Sequence, residues 1–177
     1  YNEEAPPAPL NFYGWTKLRG EEIIKDTLPD FLIIRTTVVY GWAPATKNYL
    51  HQVVTRLKSG RVIKAPADQI SNPTYHWELA GVIHRLHHLQ VTGVFNCVGR
   101  DRVNRAEFAR KIAVAFSLPA EHIWGVPTKS LTQTAERPLN AGLTTEKLER
   151  YLGHKMLGPE KGLLLSCLAG KRRGGLI

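Results

Sequence analysis

The chain has 177 residues, of which 43% are hydrophobic and 22% are charged, and its formal net charge is +9. This length and composition fit one globular domain or parts of two, and they exclude a disordered protein. No apolar run approaches the ~18 residues that a membrane-spanning helix needs, and residues 1–9 lack the pattern of a signal peptide. Cys97 and Cys167 are far apart in the sequence and form no metal or redox motif, so both are predicted to be reduced core residues of a cytoplasmic protein.

The basic excess raises nucleic-acid binding as one interpretation. The 24 basic residues are dispersed, however, and only residues 171–173 form a basic cluster. No predicted helix combines a basic stripe with interleaved aromatic residues, so a nucleic-acid partner is not favoured. A phosphate-bearing ligand or an acidic partner explains the charge equally well.

The first regular element is a helix predicted within residues 10–28, where Asn11 is suited to be the N-cap. On this helix, Tyr13 and Lys17 are four residues apart and therefore share a face. An ammonium group beside a phenol favours the phenolate, so the pair is suited to proton transfer, although the same spacing also occurs on ordinary surface helices. The residues expected to pack the helix against the protein are Trp15, Leu18, Ile23 and Ile24.

Residues 31–40 begin with a near-continuous apolar run, which predicts a strand buried on both faces in a parallel sheet. Residues 68–75 are rich in turn-forming residues and are predicted to form a loop. Between residues 47 and 98, helices are predicted at residues 47–58 and 75–89, and they alternate with strands at residues 61–65 and 94–98.

In the last third of the chain, Asn104 is predicted to cap an amphipathic helix with Glu107 as its capping-box partner. The inner face of this helix is formed by Phe108, Ile112, Ala113 and Phe116. We expect an irregular segment at residues 119–143, a short helix at 145–153, a last turn or two at 163–168 and a flexible basic tail at 169–177. The alternation of helices and strands predicts an α/β layered fold.

Six segments resemble, in the same order, the extended short-chain dehydrogenase/reductases, and within them the dTDP-4-dehydrorhamnose reductase-like branch. The resemblance covers nearly all of residues 1–168 and implies the C-terminal half of such a reductase. The segments are YNEE at residues 1–4, YGWTK at 13–17 with GE at 20–21, IRTTVVYG at 34–41, DQ at 68–69 with PT at 73–74, GVFN at 93–96, and RPLNAGL at 137–143 with KL at 147–148.

The resemblance implies a Rossmann-type doubly wound parallel sheet plus a small α/β substrate-binding region. Residues 1–41 would form the C-terminal part of the NAD(P)-binding domain, and residues 42–168 would form the substrate-binding region, with a strand near 93–98 that returns to the main sheet. Tyr13 would protonate the carbonyl oxygen of a nucleotide-linked keto-sugar while NADPH or NADH delivers hydride, and Lys17 would hold the nicotinamide ribose. The resemblance places Thr37 beside the cofactor and assigns substrate binding to Asn48, Asp68, Gln69, Thr74 and Arg137, of which the arginine suits a diphosphate.

The chain also departs from this family. Its 15 glycines contain no glycine-rich phosphate loop, the catalytic Ser or Thr would fall before Tyr1, and Val38 stands where the reductases usually carry Trp. We therefore expect the chain alone to be inactive. Unpaired parallel strands would leave an open edge, so we expect a homo-oligomer or a partner that covers it.

Two other functions stay open. A nucleotide-sugar epimerase or dehydratase shares the Tyr and Lys pair, whereas the regulatory beta subunit of methionine adenosyltransferase resembles the same branch and serves as a non-catalytic binding subunit. A metal site is not expected, because His84 and His88 share a helix face but lack further ligands at a useful spacing.

Overall fold

Six helices and eight short strands alternate along residues 1–43 and 48–172, the part of the chain that this computed structural model describes. The helices are α1 (Phe12–Thr27), α2 (Tyr49–Lys58), α3 (His76–His88), α4 (Arg105–Ala115), α5 (Glu146–Leu152) and α6 (Pro159–Arg172). The strands are β1 (Leu32–Arg35), β2 (Val39–Tyr40), β3 (Ile63–Pro66), β4 (Ile70–Ser71), β5 (Thr74–Tyr75), β6 (Gly93–Asn96), β7 (Val103–Asn104) and β8 (Ile123–Val126). The predicted start of α2 at residue 47 and the end of the basic tail lie outside the described residues.

The strands pair two by two, and most of the pairs are parallel. β1 pairs with β6, β2 with β5 and β3 with β8 in parallel, whereas β4 and β7 are antiparallel. Helices lie between the paired strands in the sequence, as parallel connections require. The predicted α/β fold is therefore confirmed. Within the described residues, no helix is both long and apolar enough to cross a membrane.

Two hydrophobic clusters form the core. The larger one joins α2, α4 and α6 to β2, β3 and β8, and the inner face predicted for α4 lies within it. The smaller one joins α3 and α5 to β6. The predicted cap of α4 is also present, since the Asn104 side chain accepts a hydrogen bond from the Glu107 N–H at 2.8 Å. The helices predicted from the local patterns of α2, α3, α4 and α5 are therefore present, and each contributes residues to the core.

Helix α1 begins as predicted but does not pack as predicted. Asn11 Oδ1 accepts a hydrogen bond from the Gly14 N–H at 2.8 Å, which caps the helix. None of the 16 residues of α1 is buried, and Trp15 and Ile23 are more than half exposed. Trp15, Ile23 and Ile24 are therefore surface residues in this structure, which corrects the expectation that they pack against the protein, whereas Leu18 is half-buried.

The strand predicted at residues 31–40 is divided into β1 and β2 by a break at residues 36–38. Val38 has a φ of +45°, which no strand residue adopts. The break lets the two parts pair with different strands, β1 with β6 and β2 with β5. Along β1 only Ile33 is buried, so the expected burial on both faces is wrong for this strand.

The C-terminal third contains more regular structure than predicted. Strand β8 lies inside the segment expected to be irregular and pairs with β3 in parallel. Helix α6 runs from Pro159 to Arg172 and is far longer than the predicted turn or two. Residues 169–172 of the expected flexible tail are thus helical. Proline suits the first helical position, but the two glycines of α6 lower its helix propensity, so its packing against the core determines its length.

Candidate active site

A cavity of about 410 Å³ lies between the N-terminal part of α1 and the C-terminal end of β1. Its walls include four of the residues that the sequence suggested: Tyr13, Thr37, Gln69 and Arg137. These residues come from α1, the break after β1, the residue before β4 and the segment before α5. The fold therefore brings together side chains that are up to 124 positions apart in the chain.

Tyr13 and Lys17 are neighbours on the exposed side of α1. The Lys17 Nζ lies 5.5 Å from the centroid of the Tyr13 ring, and the Tyr13 side chain is 70% exposed. Lys17 lines an adjoining cavity of about 450 Å³, which also includes Glu21 and Arg35. The phenol and the ammonium group are thus close together, with the phenol at the wall of one cavity and the ammonium at the wall of the next.

The residues present fit one end of a nicotinamide cofactor. Neither the Tyr13 hydroxyl nor the Lys17 ammonium forms a hydrogen bond with a described residue, so both are available to a ribose diol. The glycine-rich turn that would hold a dinucleotide pyrophosphate does not occur in the 177-residue sequence. The part of the cofactor that Tyr13 and Lys17 fit is therefore the nicotinamide ribose.

Thr37 and Gln69 have hydrogen bonds that fix them at the cavity wall. The Thr37 hydroxyl donates to the Asn72 carbonyl at 2.7 Å and accepts from the Asn72 N–H at 3.2 Å. The buried Gln69 amide donates to the Thr128 hydroxyl at 3.1 Å. Thr37 therefore joins the end of β1 to the turn before β5. Its role beside a cofactor stays a prediction.

Thr74 is a core residue, not a residue of the cavity wall. Its side chain is fully buried. The hydroxyl donates to the Asn72 carbonyl at 3.1 Å and accepts from the Gly99 N–H at 3.3 Å. Backbone groups take up both hydrogen-bonding roles of the Thr74 hydroxyl. The structure therefore gives Thr74 a structural role in place of the predicted contact with a substrate.

Asn48 and Asp68 also lie outside the walls of the Tyr13 cavity. Asn48 caps α2, and its amide donates to the Gly41 carbonyl at 2.9 Å. Asp68 accepts a hydrogen bond from the Thr128 N–H at 3.0 Å and lines a separate cavity of about 440 Å³ that Arg137 also borders. Hydrogen bonds from Thr128 hold the pKa of the Asp68 carboxyl below its usual range. The structure thus gives both residues a clear structural task and leaves their substrate role a prediction.

A second and larger cavity of about 700 Å³ adjoins the first. The two cavities share four residues in their walls, which are Val38, Gln69, Arg105 and Arg137. We call these four residues the junction. Beyond the junction, the larger cavity is lined by Tyr49, Gln52 and Arg56 and by residues 131–135. Their polar side chains are suited to a polar ligand.

Arg105 is a residue of the candidate site that the sequence did not reveal. Its guanidinium lies over the Tyr49 ring, with 4.8 Å between the Arg105 Cζ and the ring centroid. An arginine directly after a helix cap is typical of an ordinary surface helix, so the sequence contains no signal for its place at the junction. Asn72 is a buried residue that supports the site, and no sequence pattern signals this role because its partners Gly99 and Leu143 are distant in the chain.

His84 and His88 lie together on the exposed side of α3. The rings of His84 and His88 are exposed and stacked, with centroids 6.4 Å apart. Along the described ranges, no three His, Cys, Asp or Glu side chains are grouped so that they could hold a metal ion.

Comparison with known proteins identifies relatives along most of the chain. A probable low-salt glycan biosynthesis reductase of Haloferax volcanii is 30% identical over 156 residues, which are 86% of this chain and 52% of that protein. The methionine adenosyltransferase 2 subunit beta of Pongo abelii is 32% identical over 156 residues, 84% of this chain and 46% of that protein. The chain thus spans about half the length of the curated relatives it matches.

Solved structures show the same fold. The crystal structure of dTDP-4-dehydrorhamnose reductase from Bacillus anthracis in complex with NADP has a TM-score of 0.88 at 28% identity, and the match covers 96% of this chain and 59% of that chain. The family model of the RmlD substrate binding domain matches residues 1–163. The chain therefore belongs to the RmlD substrate-binding-domain family, whose relatives include dTDP-4-dehydrorhamnose reductases.

Proposed function

We propose that this chain carries the proton donor and the substrate-binding region of a nicotinamide-dependent reductase that acts on a nucleotide-linked keto-sugar. The observation that carries the proposal is a single cavity lined by Tyr13 and Arg137, with the Lys17 ammonium 5.5 Å from the Tyr13 ring. Membership of the family and the reductase relatives support it. Residues 1–41 then belong to the cofactor side and residues 42–168 to the substrate side.

In this proposal Tyr13 acts as the general acid. Its hydroxyl gives a proton to the carbonyl oxygen of the sugar, and the C=O group becomes a CH–OH group. The nicotinamide cofactor, when bound, supplies the hydride that reaches the carbonyl carbon. The positive charge of Lys17 stabilises the phenolate that Tyr13 becomes, and its ammonium group holds the ribose of the cofactor. Thr37, at the end of β1, borders the same cavity.

Arg137 is assigned to the diphosphate of the substrate. Its side chain is exposed, and it lines the Tyr13 cavity as well as the larger neighbouring one. A guanidinium presents two parallel donors that match phosphate oxygens. Gln69 lines the same junction, and its amide nitrogen already donates to Thr128 and Gln133. A sugar at Tyr13 would then extend toward the larger cavity through its phosphates.

The proposal is tested with Tyr13→Phe in the protein expressed from its natural gene. We expect the substitution to lower kcat for NADPH oxidation with dTDP-4-dehydrorhamnose by about 10²–10⁴-fold, because it removes the positioned proton donor. The matched control is Tyr151→Phe on α5, which lies outside both cavities and is expected to leave kcat unchanged. Equal activity of Tyr13→Phe and the unchanged protein would contradict the Tyr13 mechanism.

A second candidate is a non-catalytic binding subunit. The observation that favours it is the 32% identity to a methionine adenosyltransferase subunit beta, which is close to the identity shared with the reductase of Haloferax volcanii. The same substitution separates the two functions. A binding subunit would show no reductase activity in the unchanged protein and would bind its partner equally well with Phe at position 13.

A further inference from the structure

The Arg105 guanidinium has a fixed place at the junction of the two cavities. It lies 4.8 Å above the Tyr49 ring, and the Tyr49 hydroxyl donates to the Arg105 carbonyl at 3.1 Å. Stacking on an aromatic ring restrains an arginine side chain before any ligand arrives. Arg105 therefore lines both cavities from a restrained position on Tyr49.

Among the described residues, no carboxylate forms an ion pair with Arg105. Along residues 1–43 and 48–172, the same is true of Arg56 and Arg137. Burial lowers the pKa of the Arg105 guanidinium, Tyr49 partly offsets this shift, and the positive charge of Arg137 adds to it. Because a desolvated charge without a partner is unfavourable, an anionic ligand would be stabilised at this place.

The backbone of Val38, one of the four junction residues, is in a strained conformation. It is a β-branched residue with a φ of +45°, a conformation that such residues rarely adopt. Strain of this kind persists where the surrounding structure imposes it, and it is frequent at ligand sites. The strained backbone lies in the wall of both cavities, beside the two arginines.

We propose that Arg105 acts together with Arg137 to bind the diphosphate of the substrate, and that this pair makes the site select diphosphates over monophosphates. The inference rests on the proposed function, and it adds a specificity-determining residue to it. Two guanidiniums at one junction can each bind one phosphate group, and a monophosphate leaves one of them unpaired. The sugar then lies on the side of Tyr13, and the nucleoside lies on the side of Tyr49 and Arg56.

The test measures binding of thymidine diphosphate and thymidine monophosphate to the protein expressed from its natural gene by isothermal titration calorimetry at constant salt. We expect the unchanged chain to bind the diphosphate more tightly. Arg105→Met should weaken diphosphate binding by about tenfold or more, because it removes hydrogen bonds to a charged group. It should weaken monophosphate binding much less, so the ratio of the two affinities falls.

Two further variants make the result specific. Arg150→Met on α5 removes the same charge from an exposed position outside both cavities, and we expect it to leave the ratio unchanged. Arg105→Lys keeps the charge but loses the fork of donors, so it should give an intermediate ratio. Thermal unfolding of each variant shows whether it is folded, and the lysine variant provides the test if the methionine variant is not.

The inference is overturned if the unchanged chain shows no preference for the diphosphate, or if the ratio survives in Arg105→Met. It is also overturned if Arg150→Met lowers the ratio equally, which would indicate a general effect of net charge. These outcomes are distinct from failure of the proposed function. Diphosphate selectivity that depends on Arg105 in a protein without reductase activity would support the inference and contradict the reductase.

Discussion

Glu21 and Arg35 form the ion pair that joins the exposed helix α1 to β1. Arg35 Nε and Nη2 donate to the two carboxylate oxygens of Glu21 at 2.8 and 2.7 Å. Arg35 Nη1 also donates to the Glu3 carbonyl at 3.3 Å. The hydrogen bonds from Arg35 lower the pKa of the Glu21 carboxyl, and the charge of Lys25 contributes further. Since α1 buries no side chain, this pair has a large share in holding Tyr13 and Lys17 beside β1.

We expect Glu21→Gln to lower the free energy of unfolding by about 1–2 kcal/mol at pH 7, because a two-pronged, partly buried ion pair is lost. The folded pKa of Glu21 lies below its unfolded value of about 4.3, so this stability is fully present above that value. It is lost as the pH falls through the folded pKa. Urea unfolding at pH 7 and at pH 3 should show a larger difference between the variant and the unchanged chain at pH 7 than at pH 3.

The control for this prediction is Glu22→Gln on the same helix. Glu22 pairs with Arg19 at 2.8 Å on the solvent-exposed side. Exposed pairs contribute about 0–1 kcal/mol, so this variant should be close to the unchanged chain. Equal destabilisation by the two substitutions would contradict a special role of the Glu21–Arg35 pair.

At the scale of single elements, α6 shows how packing determines a helix that propensity disfavours. Gly162 lies where α6 meets β2 and β5. A Cβ atom at this position would overlap the Tyr40 hydroxyl and would lie 3.0 Å from the Tyr75 Cβ. The absence of a side chain thus lets α6 approach the buried tyrosines, and the close contact compensates for the low helix propensity of glycine.

We expect Gly162→Ala to destabilise the chain by about 1–3 kcal/mol, because the added methyl group overpacks the contact with Tyr40. Gly81→Ala in α3 is the matched control, since a Cβ there meets no atom within 4 Å. That variant should be more stable by up to about 1 kcal/mol through helix propensity alone. Urea unfolding of both variants measures the difference, and a neutral or stabilising effect of Gly162→Ala would show that α6 does not depend on this contact.

At the scale of the whole molecule, α1 carries exposed apolar side chains and β1 has an edge without a described strand partner. Phe12, Trp15 and Ile23 are 77%, 53% and 52% exposed, and the Phe12 and Trp15 rings are stacked with centroids 5.8 Å apart. Among the described strands, β1 pairs with β6 alone. A strand edge beside exposed aromatic residues is suited to association with another chain.

We therefore expect the 177-residue chain to self-associate, with a mass that rises with concentration in light scattering after size-exclusion chromatography. The double substitution Trp15→Gln and Ile23→Gln should reduce this association without lowering the unfolding temperature, because neither side chain is buried. Trp77→Gln on α3 replaces another exposed tryptophan and serves as the control. A monodisperse monomer at all concentrations would contradict the prediction.

The sequence by itself was sufficient to predict the features that depend on neighbouring residues. Asn11 and Asn104 mark helix starts through side chains that reach N–H groups three residues ahead. The apolar stripe of α4 identifies its buried face, and the spacing of Tyr13 and Lys17 places them on one side of α1. The order of the short motifs was sufficient to identify the family. The spacing of neighbouring residues is visible in the sequence itself, so no tertiary contact is needed to interpret it.

Only the tertiary structure decided the features that depend on distant partners. The break at Val38 separates β1 and β2, which pair with different strands, and the Thr74 hydroxyl is buried and accepts a hydrogen bond from the distant Gly99 N–H. Arg105 reaches the junction because it stacks on Tyr49, which is 56 residues earlier in the chain. The exposure of α1 likewise depends on which segments lie against it. Burial and charge pairing are properties of the folded arrangement, and for that reason the pattern of residue types predicted the elements but not their partners.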